Sequence, residues 1–447
     1  MARFEIQETA APNARMGELA INGKELPTPT YFPSLTRVSD AENVVEAVRV
    51  LDEQDEPLLP YTGGFVVESQ LAPSVLDDFD RSVQTDLNGN RKFSNIYSIV
   101  DDLDRCLLID PNTDRLLYFN YREDMREISD HLPDPFLDVA DALDADDDED
   151  GEDGAEMAME HRDAYPRLKE EVSPPNFVEN MLGLQNEYGP DLFLVPYYPI
   201  ELDTYEEDIE ANLDLYRISQ NLANTLYDRE VAPVLPVKRS ILSADAEQEN
   251  GRRQPPQAWL DIIHTYRELD TDILFLKATN VETDPDELHK TDSEGIFHFF
   301  RLFRQFTDMP TFFLGLDEFS YILMAQGLDG YSHPMYQNPF RRPIRGGDSS
   351  DIPRHRKFLV PRKWGWERFD QLDSLGCNGP FCEPYNDTHP SDIELSDQDT
   401  LRKRHWLWLR DEELREINDA ITKDEVRPGL QSICKDSEWK KNFTMFL

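Results

Sequence analysis

Cys377 and Cys382 are the closest pair among the four cysteines, with Cys106 and Cys434 lying apart from them. Thiols so spaced suit a metal ion that takes sulfur and nitrogen ligands, and two ordinary buried thiols are the plain alternative. Four cysteines do not make a disulfide framework, which points to a reducing compartment. Other chemistry-bearing side chains close short apolar runs: Tyr197 and Tyr198, Lys238 and Arg239, Lys277, Asp317, and the stretch from Asp329 to His333. Asp317 could equally cap the helix that follows it. Ser332 and His333 have the types of a nucleophile and its base, although sequence neighbours rarely point at each other. Gly63-Gly64 allows a ligand to approach the backbone closely, or simply makes a turn. Arg341, Arg342 and Arg345, followed by Arg354-His355-Arg356-Lys357, form the densest basic stretch. Arginine pairs bidentately with phosphate, and the nearby Trp364 and Trp366 can stack on bases; balancing local acids is the alternative role.

The elements that must position these residues alternate regularly. Asp191–Pro196, Val231–Val237, Asp272–Lys277 and Thr311–Leu316 read as buried strands. Helical patterns follow them over Ile209–Asp228, Pro256–Glu268, Ile296–Phe306 and Glu318–Gln326. Strand followed by helix, repeated, is the signature of parallel βα units. With the earlier segments added, the count suits an α/β (β/α)8 TIM barrel, whose chemistry sits at the C-terminal ends of the strands. An open doubly wound sheet stays as the alternative, since periodicity does not report closure. No glycine-rich dinucleotide or P-loop motif supports nucleotide binding.

The chain carries 90 acidic against 45 basic residues, a net charge of −45, with Lys scarcer than Arg. Multimolar salt shortens the Debye length to roughly 3 Å or less and removes the self-repulsion of such a surface. The composition therefore points to a halophilic protein; an acidic protein that binds a basic partner is the rival reading. The acidity argues against a simple electrostatic grip on nucleic acid, an objection that weakens in high salt. Residues 141–160 are dense in like charge, without apolar periodicity, and read as a solvated insertion. No long apolar run and no apolar leader is present, so a cytoplasmic location without membrane association is expected.

Several segments, taken together, resemble the tRNA-guanine transglycosylase superfamily in order and spacing. Phe4-Glu5-Ile6, Asn13 to Leu19 and Pro27-Thr28-Pro29 are similar to the family's opening strands. Tyr61-Thr62-Gly63-Gly64-Phe65 resembles its Asp-Ser-Gly-Gly-Phe loop, and Ile109-Asp110-Pro111 through Phe119 a hairpin. Phe313 to Leu316 with Gly327 to Ser332 resembles the last two barrel strands. Cys377-Asn378-Gly379-Pro380-Phe381-Cys382 with His405 resembles the family's zinc element of three cysteines and one histidine.

The resemblance implies a (β/α)8 barrel with N-terminal antiparallel strands over residues 1–345, an acidic insertion at 138–162, and a zinc-type, helical C-terminal region over 346–447. It implies base exchange on a nucleic acid, most naturally tRNA, and a homo- or heterodimer with a related subunit. It implies a structural zinc ion on Cys377, Cys382 and His405, with Gly379 in the fourth ligand's place and His389 or Cys434 as substitutes. Substrate contacts would fall on Tyr61, Gly63, Gly64, Phe65, Tyr197, Lys238 and Lys277, and nucleic-acid contacts on Arg341, Arg342 and Arg345. Of the three carboxylates the chemistry uses, the loop acid matches Tyr61, the base-holding acid Tyr197 and the nucleophile Ser332, with Asp329 at an earlier acid. Either relocated acids such as Asp317, Asp329 or Glu68 carry the reaction, or the chain is a non-catalytic paralogue that binds nucleic acid or a partner subunit.

Overall fold

A computed structural model describes residues 3–10, 13–36, 38–56, 58–77, 96, 100, 103–113, 169–170, 172–244, 247–249, 252–279, 290–316, 319–334, 357–361 and 365–433. The chain opens with an antiparallel sheet of β1 (Arg3–Ala10), β2 (Ala14–Ile21) and β3 (Lys24–Thr28). Parallel strands follow: β4 (Thr30–Leu35), β5 (Gly64–Glu68), β6 (Cys106–Asp110), β7 (Leu192–Leu194), β8 (Val231–Ala232) and β9 (Val234–Lys238). A separate antiparallel pair, β10 (Glu247–Glu249) and β11 (Arg252–Gln254), comes next. Then come β12 (Leu274–Thr279), β13 (Thr311–Leu314) and β14 (Gly330–Pro334), and an antiparallel pair, β15 (Lys357–Val360) and β16 (Gly365–Arg368).

The parallel strands make one nine-stranded sheet in the order β8-β7-β6-β5-β4-β14-β13-β12-β9. Its two ends, β8 and β9, are separated in the chain only by Pro233. Proline has no N–H for a ladder, but its carbonyl accepts from Phe275 N at 3.1 Å, while Ala232 O accepts from Val195 N at 3.0 Å. The sheet is thus rolled into a nearly closed barrel, and the open-sheet alternative is set aside.

Between the strands run α1 (Val38–Glu53), α2 (Pro174–Glu187), α3 (Tyr205–Leu222), α4 (Arg239–Leu242), α5 (Gln257–Arg267), α6 (Lys290–Phe306) and α7 (Phe319–Met324). The expected strand at Asp272–Lys277 is displaced to Leu274–Thr279, and the helix expected from Ile296 begins at Lys290. The acidic insertion at 138–162 and the second arm of the hairpin expected to reach Phe119 lie outside the described residues. Among the described residues no helix is long and apolar enough to cross a membrane.

Alternation along each strand divides the apolar side chains into two cores. Phe32, Val66, Leu108, Leu194, Val234, Phe275 and Phe312 fill the barrel, together with Leu19, Ile21 and Leu26 of the opening sheet. That sheet plugs the N-terminal end: Asn22 and Lys24 reach Asp191, at the start of β7, at 3.0 and 3.1 Å. The second core lies between strands and helices.

The long helix α8 (Leu395–Thr422), followed by α9 (Val426–Ile433), packs on α1, β4 and β15 and so belongs to the helical layer around the barrel. Trp406 Nε1 donates to Tyr31 OH at 3.0 Å, and Lys403 pairs with Asp40 at 2.8 Å, both side chains fully enclosed. Asp411 accepts from Tyr61 N at 2.7 Å, and burial pushes its carboxyl up to about 7. Its folded pKa lies above the unfolded one, so the folded state holds a proton that the unfolded chain has lost. Stability from this group should therefore fall as pH rises from about 4 to about 7 and level off above. Asp411→Asn keeps an oxygen for the Tyr61 N–H and should flatten that stretch of a melting-temperature profile; an unchanged slope would assign it to other groups.

Candidate functional site

Parity along the strands decides which side chains line the C-terminal end of the barrel. Ser34, Glu68, Asp110, Lys238, Lys277, Thr279 and Ser332 share the inward face of their strands with the barrel-filling residues. All lie toward the strands' C-terminal ends, where a barrel of this kind presents its loops.

A connected polar network occupies one side of this mouth. Lys277 Nζ donates to Asp110 Oδ2 at 2.8 Å and to Asn112 Oδ1 at 2.5 Å. Asn112 stands at φ 48°, a conformation Asn tolerates better than most residues. That turn lets its N–H donate to Asp110 Oδ1 at 2.9 Å, while its side-chain Nδ2 donates to Glu68 Oε2 at 2.8 Å. Tyr197 closes the group from the loop after β7: its OH is 3.4 Å from Asp110 Oδ1, and Lys277 Nζ stands 5.3 Å from its ring centroid. Beside this network Lys238 pairs with Glu201. Asp110, Asn112, Lys277 and Tyr197 are buried, whereas Glu68, Glu201 and Lys238 are partly exposed. Three carboxylates and two ammonium groups thus converge at the mouth, an arrangement that can hold a polar ligand and move protons on it.

The residues expected from the sequence divide between the two ends of the barrel. Tyr197, Lys238 and Lys277 come together at the mouth. Ser332 is at the same end, with its Oγ accepting from Gly315 N at 2.9 Å. Asp329 is at the opposite end, before β14, where its carboxylate accepts from Arg15 Nε at 2.8 Å, Arg15 Nη2 at 2.6 Å and Thr311 N at 2.8 Å. Tyr61, Gly63, Gly64 and Phe65 also belong to that end, because Thr62 bridges Tyr31 near the start of β4 and the glycines lead into β5. A Cβ on Gly64 would meet Cys106 O at 2.2 Å, and one on Gly63 would meet Thr30 Oγ1 at 2.5 Å. These glycines therefore let neighbouring strands approach. Asp317, Arg341, Arg342 and Arg345 lie outside the described residues. Sequence reasoning missed Asn112 and Glu201, and noted Asp110 only within the hairpin match.

A second cluster lies beside the barrel. Cys377 Sγ and Cys382 Sγ stand 3.4 and 3.3 Å from His405 Nδ1, and the three atoms lie within 4.8 Å of one another, all buried. His405 Nε2 faces Leu359 O at 3.0 Å, and its ring stacks on Phe358 at 4.3 Å. A donor hydrogen bond from the far ring nitrogen fixes the tautomer that turns a lone pair toward a metal. Gly379 N donates to Cys377 Sγ at 3.2 Å. The hydrogen bond between the two thiols holds the Cys377 thiol well below the usual cysteine range, with His405 adding to the effect, while Cys377 and burial push the Cys382 thiol up. Two thiols and an imidazole so arranged could hold a metal ion. The fourth place implied by the resemblance is closed, because a Cβ on Gly379 would lie 2.4 Å from the Trp408 ring. His389 is not in the cluster; its Nδ1 is 2.8 Å from Ser391 Oγ at an exposed site. Cys434 lies outside the described residues.

Fold and sites together define a mixed α/β protein with a nearly closed parallel barrel, a charged mouth and a buried Cys/His cluster. No protein-family model and no curated protein matches the chain.

Proposed function

We propose that the chain is a divergent barrel of the tRNA-guanine transglycosylase type that exchanges a base on nucleic acid. In this reading β8 and β9 are one strand bent at Pro233, which makes the sheet an eight-stranded (β/α)8 barrel with α8 as its last helix. The observation that carries the reading is the convergence of Glu68, Asp110 and Glu201 with Lys277 and Lys238 at the C-terminal mouth. The resemblance implies a loop acid and a base-holding acid after the fourth strand; their matches, Tyr61 and Tyr197, carry no carboxylate, and Glu68 at the end of β5 and Glu201 after β7 offer carboxylates in their stead. Asp110 is then the carboxylate that faces the anomeric carbon.

The chemistry follows from these roles. The Asp110 carboxylate attacks the anomeric carbon as the N-glycosidic bond breaks, and the departing base takes a proton from Glu68. The incoming base returns a proton to Glu68 and displaces Asp110, restoring both groups. Glu201 accepts from the N–H edge of a guanine-type base while Lys238 donates to its carbonyl. Lys277, Asn112 and Tyr197 hold Asp110 in place. Ser332 at the last strand favours a second reading, a non-catalytic paralogue that keeps the barrel to bind nucleic acid or a related subunit. Arg341, Arg342 and Arg345 serve phosphate contact in either case.

The deciding measurement is incorporation of labelled guanine into tRNA and into DNA by the full chain in multimolar KCl. Incorporation into one of them supports exchange. None into either, with nucleic acid bound, supports the binding reading.

Cys377, Cys382 and His405 would hold a structural zinc ion, whose two thiolate ligands neutralise its charge and tie the 377–382 loop to α8. Purified protein is expected to carry about one zinc per chain, and Cys382→Ser to lose it and melt at lower temperature. Wild-type protein with less than roughly a tenth of an equivalent by elemental analysis would remove zinc from the reading.

A further inference from the structure

Thr279 is the last residue of β12, beyond Lys277 on the same inward face, and it pairs in register with Lys238 across the ladder. Its side chain is enclosed, at 4% exposure, yet Oγ1 has no hydrogen-bond partner. A buried hydroxyl left so is unfavourable unless something else satisfies it, and a ligand in the mouth is placed to do so. The chemistry of that ligand atom is constrained by the neighbours. Lys277 is engaged by Asp110 and Asn112, and Lys238 by Glu201. With Glu68 added, the described residues here set three carboxylates against two ammonium groups, a balance that disfavours a phosphate beside Thr279. A neutral group that both donates and accepts, an alcohol, is the complement of a threonine hydroxyl.

Resting on the base-exchange reading, Asp110 addresses the anomeric carbon and the Glu201–Lys238 pair addresses the base. Thr279 is flanked by Lys277 along its strand and by Lys238 across the ladder, so it sits between these two stations. The alcohol of a nucleotide that lies there is the 2′-hydroxyl, on the carbon next to the anomeric one. The geometry points to Thr279 as the residue that reads the 2′-hydroxyl, making the protein selective for RNA over DNA. A polar site left unsatisfied discriminates strongly against the analogue that lacks the matching group.

The test is the binding of one RNA hairpin and the DNA hairpin of the same sequence to the full chain in multimolar KCl, by fluorescence anisotropy. Wild-type protein should prefer the RNA by about tenfold or more, and Thr279→Val should shrink that preference to about threefold or less by weakening RNA binding alone. Thr279→Ser should retain it. Thr279→Val should not melt at lower temperature, because the hydroxyl gives up no partner. Equal wild-type affinities, or a preference unchanged in Thr279→Val, would overturn the assignment. Guanine incorporation in the same proteins separates the two claims. A hydroxyl-dependent RNA preference without incorporation overturns base exchange alone; incorporation with a preference indifferent to Thr279 overturns the Thr279 role alone.

Discussion

Asp110→Asn is expected to lower guanine incorporation by roughly 10⁴-fold or more, because it removes the group that attacks the anomeric carbon. It should also lower stability, and the two losses can be separated. Asp110 is 4% exposed and accepts from Lys277 Nζ, from Asn112 N and, at the long limit, from Tyr197 OH. Asparagine keeps an oxygen for the Asn112 N–H but takes a negative charge away from the buried Lys277. Breaking one side of a buried ion pair costs about 3–5 kcal/mol, and the low end applies here because Asn112 Oδ1 still meets Lys277 at 2.5 Å. The double variant Asp110→Asn with Lys277→Met removes both charges together, which is often close to neutral for stability. It should regain most of the lost free energy in chemical denaturation while its incorporation stays absent. A double variant that is both stable and active would remove Asp110 from the chemistry.

How much of this mouth could be read from the sequence depends on which signal was followed. Lys238 and Lys277 were legible because each ends an apolar run, and in a parallel barrel the end of the run is the C-terminal rim. Cys106-Leu107-Leu108-Ile109 closes on Asp110 with the same signal. There the resemblance to a hairpin drew attention to the residues that follow. Glu201 carried no such signal: β7 stops at Leu194, and the chain continues through Tyr197, Tyr198 and Pro199 before Ile200 bridges Val237. Motif matching failed most clearly at Tyr61 to Phe65. The letters resemble a substrate-contacting loop, whereas here they lead into a strand, and the glycines answer to Cys106 O and Thr30. Closure of the sheet was beyond periodicity altogether. It rests on Pro233 serving β7 through one neighbour and β12 through its own carbonyl, a relation between residues far apart in the chain. Spacing singled out the two thiols of the Cys/His cluster, but His405 was legible only through the resemblance, since it reaches them from a helix that begins well after them.

Asp329→Asn is expected to be among the most destabilising single changes in the protein, with a loss of about 3–5 kcal/mol. Its carboxylate is fully buried and holds three donors: Arg15 through Nε and Nη2, and the Thr311 N–H. Arg15 is itself buried, and two of its other N–H groups donate to Asp308 O at 2.8 Å and Met309 O at 3.2 Å. The pair thus joins β2 of the plugging sheet to the turn before β13 and the turn before β14, three pieces of chain with no covalent reason to meet. An amide at 329 can accept at one position but presents an N–H where the other donor points, and it leaves the Arg15 guanidinium in an enclosed site without its carboxylate. Arg15→Met alone should cost a similar amount, because it leaves the carboxylate buried, whereas the double variant Arg15→Met with Asp329→Asn should cost less than the sum of the two. Denaturation of the four proteins in the same salt gives that coupling directly. The contrast with Asp110 is in activity per folded molecule. Asp329→Asn should incorporate guanine at a wild-type rate once corrected for the folded fraction, since the barrel's length separates it from the mouth. A specific rate lowered by a hundredfold or more in fully folded Asp329→Asn would instead return this carboxylate to the reaction and move the site to the other end of the barrel.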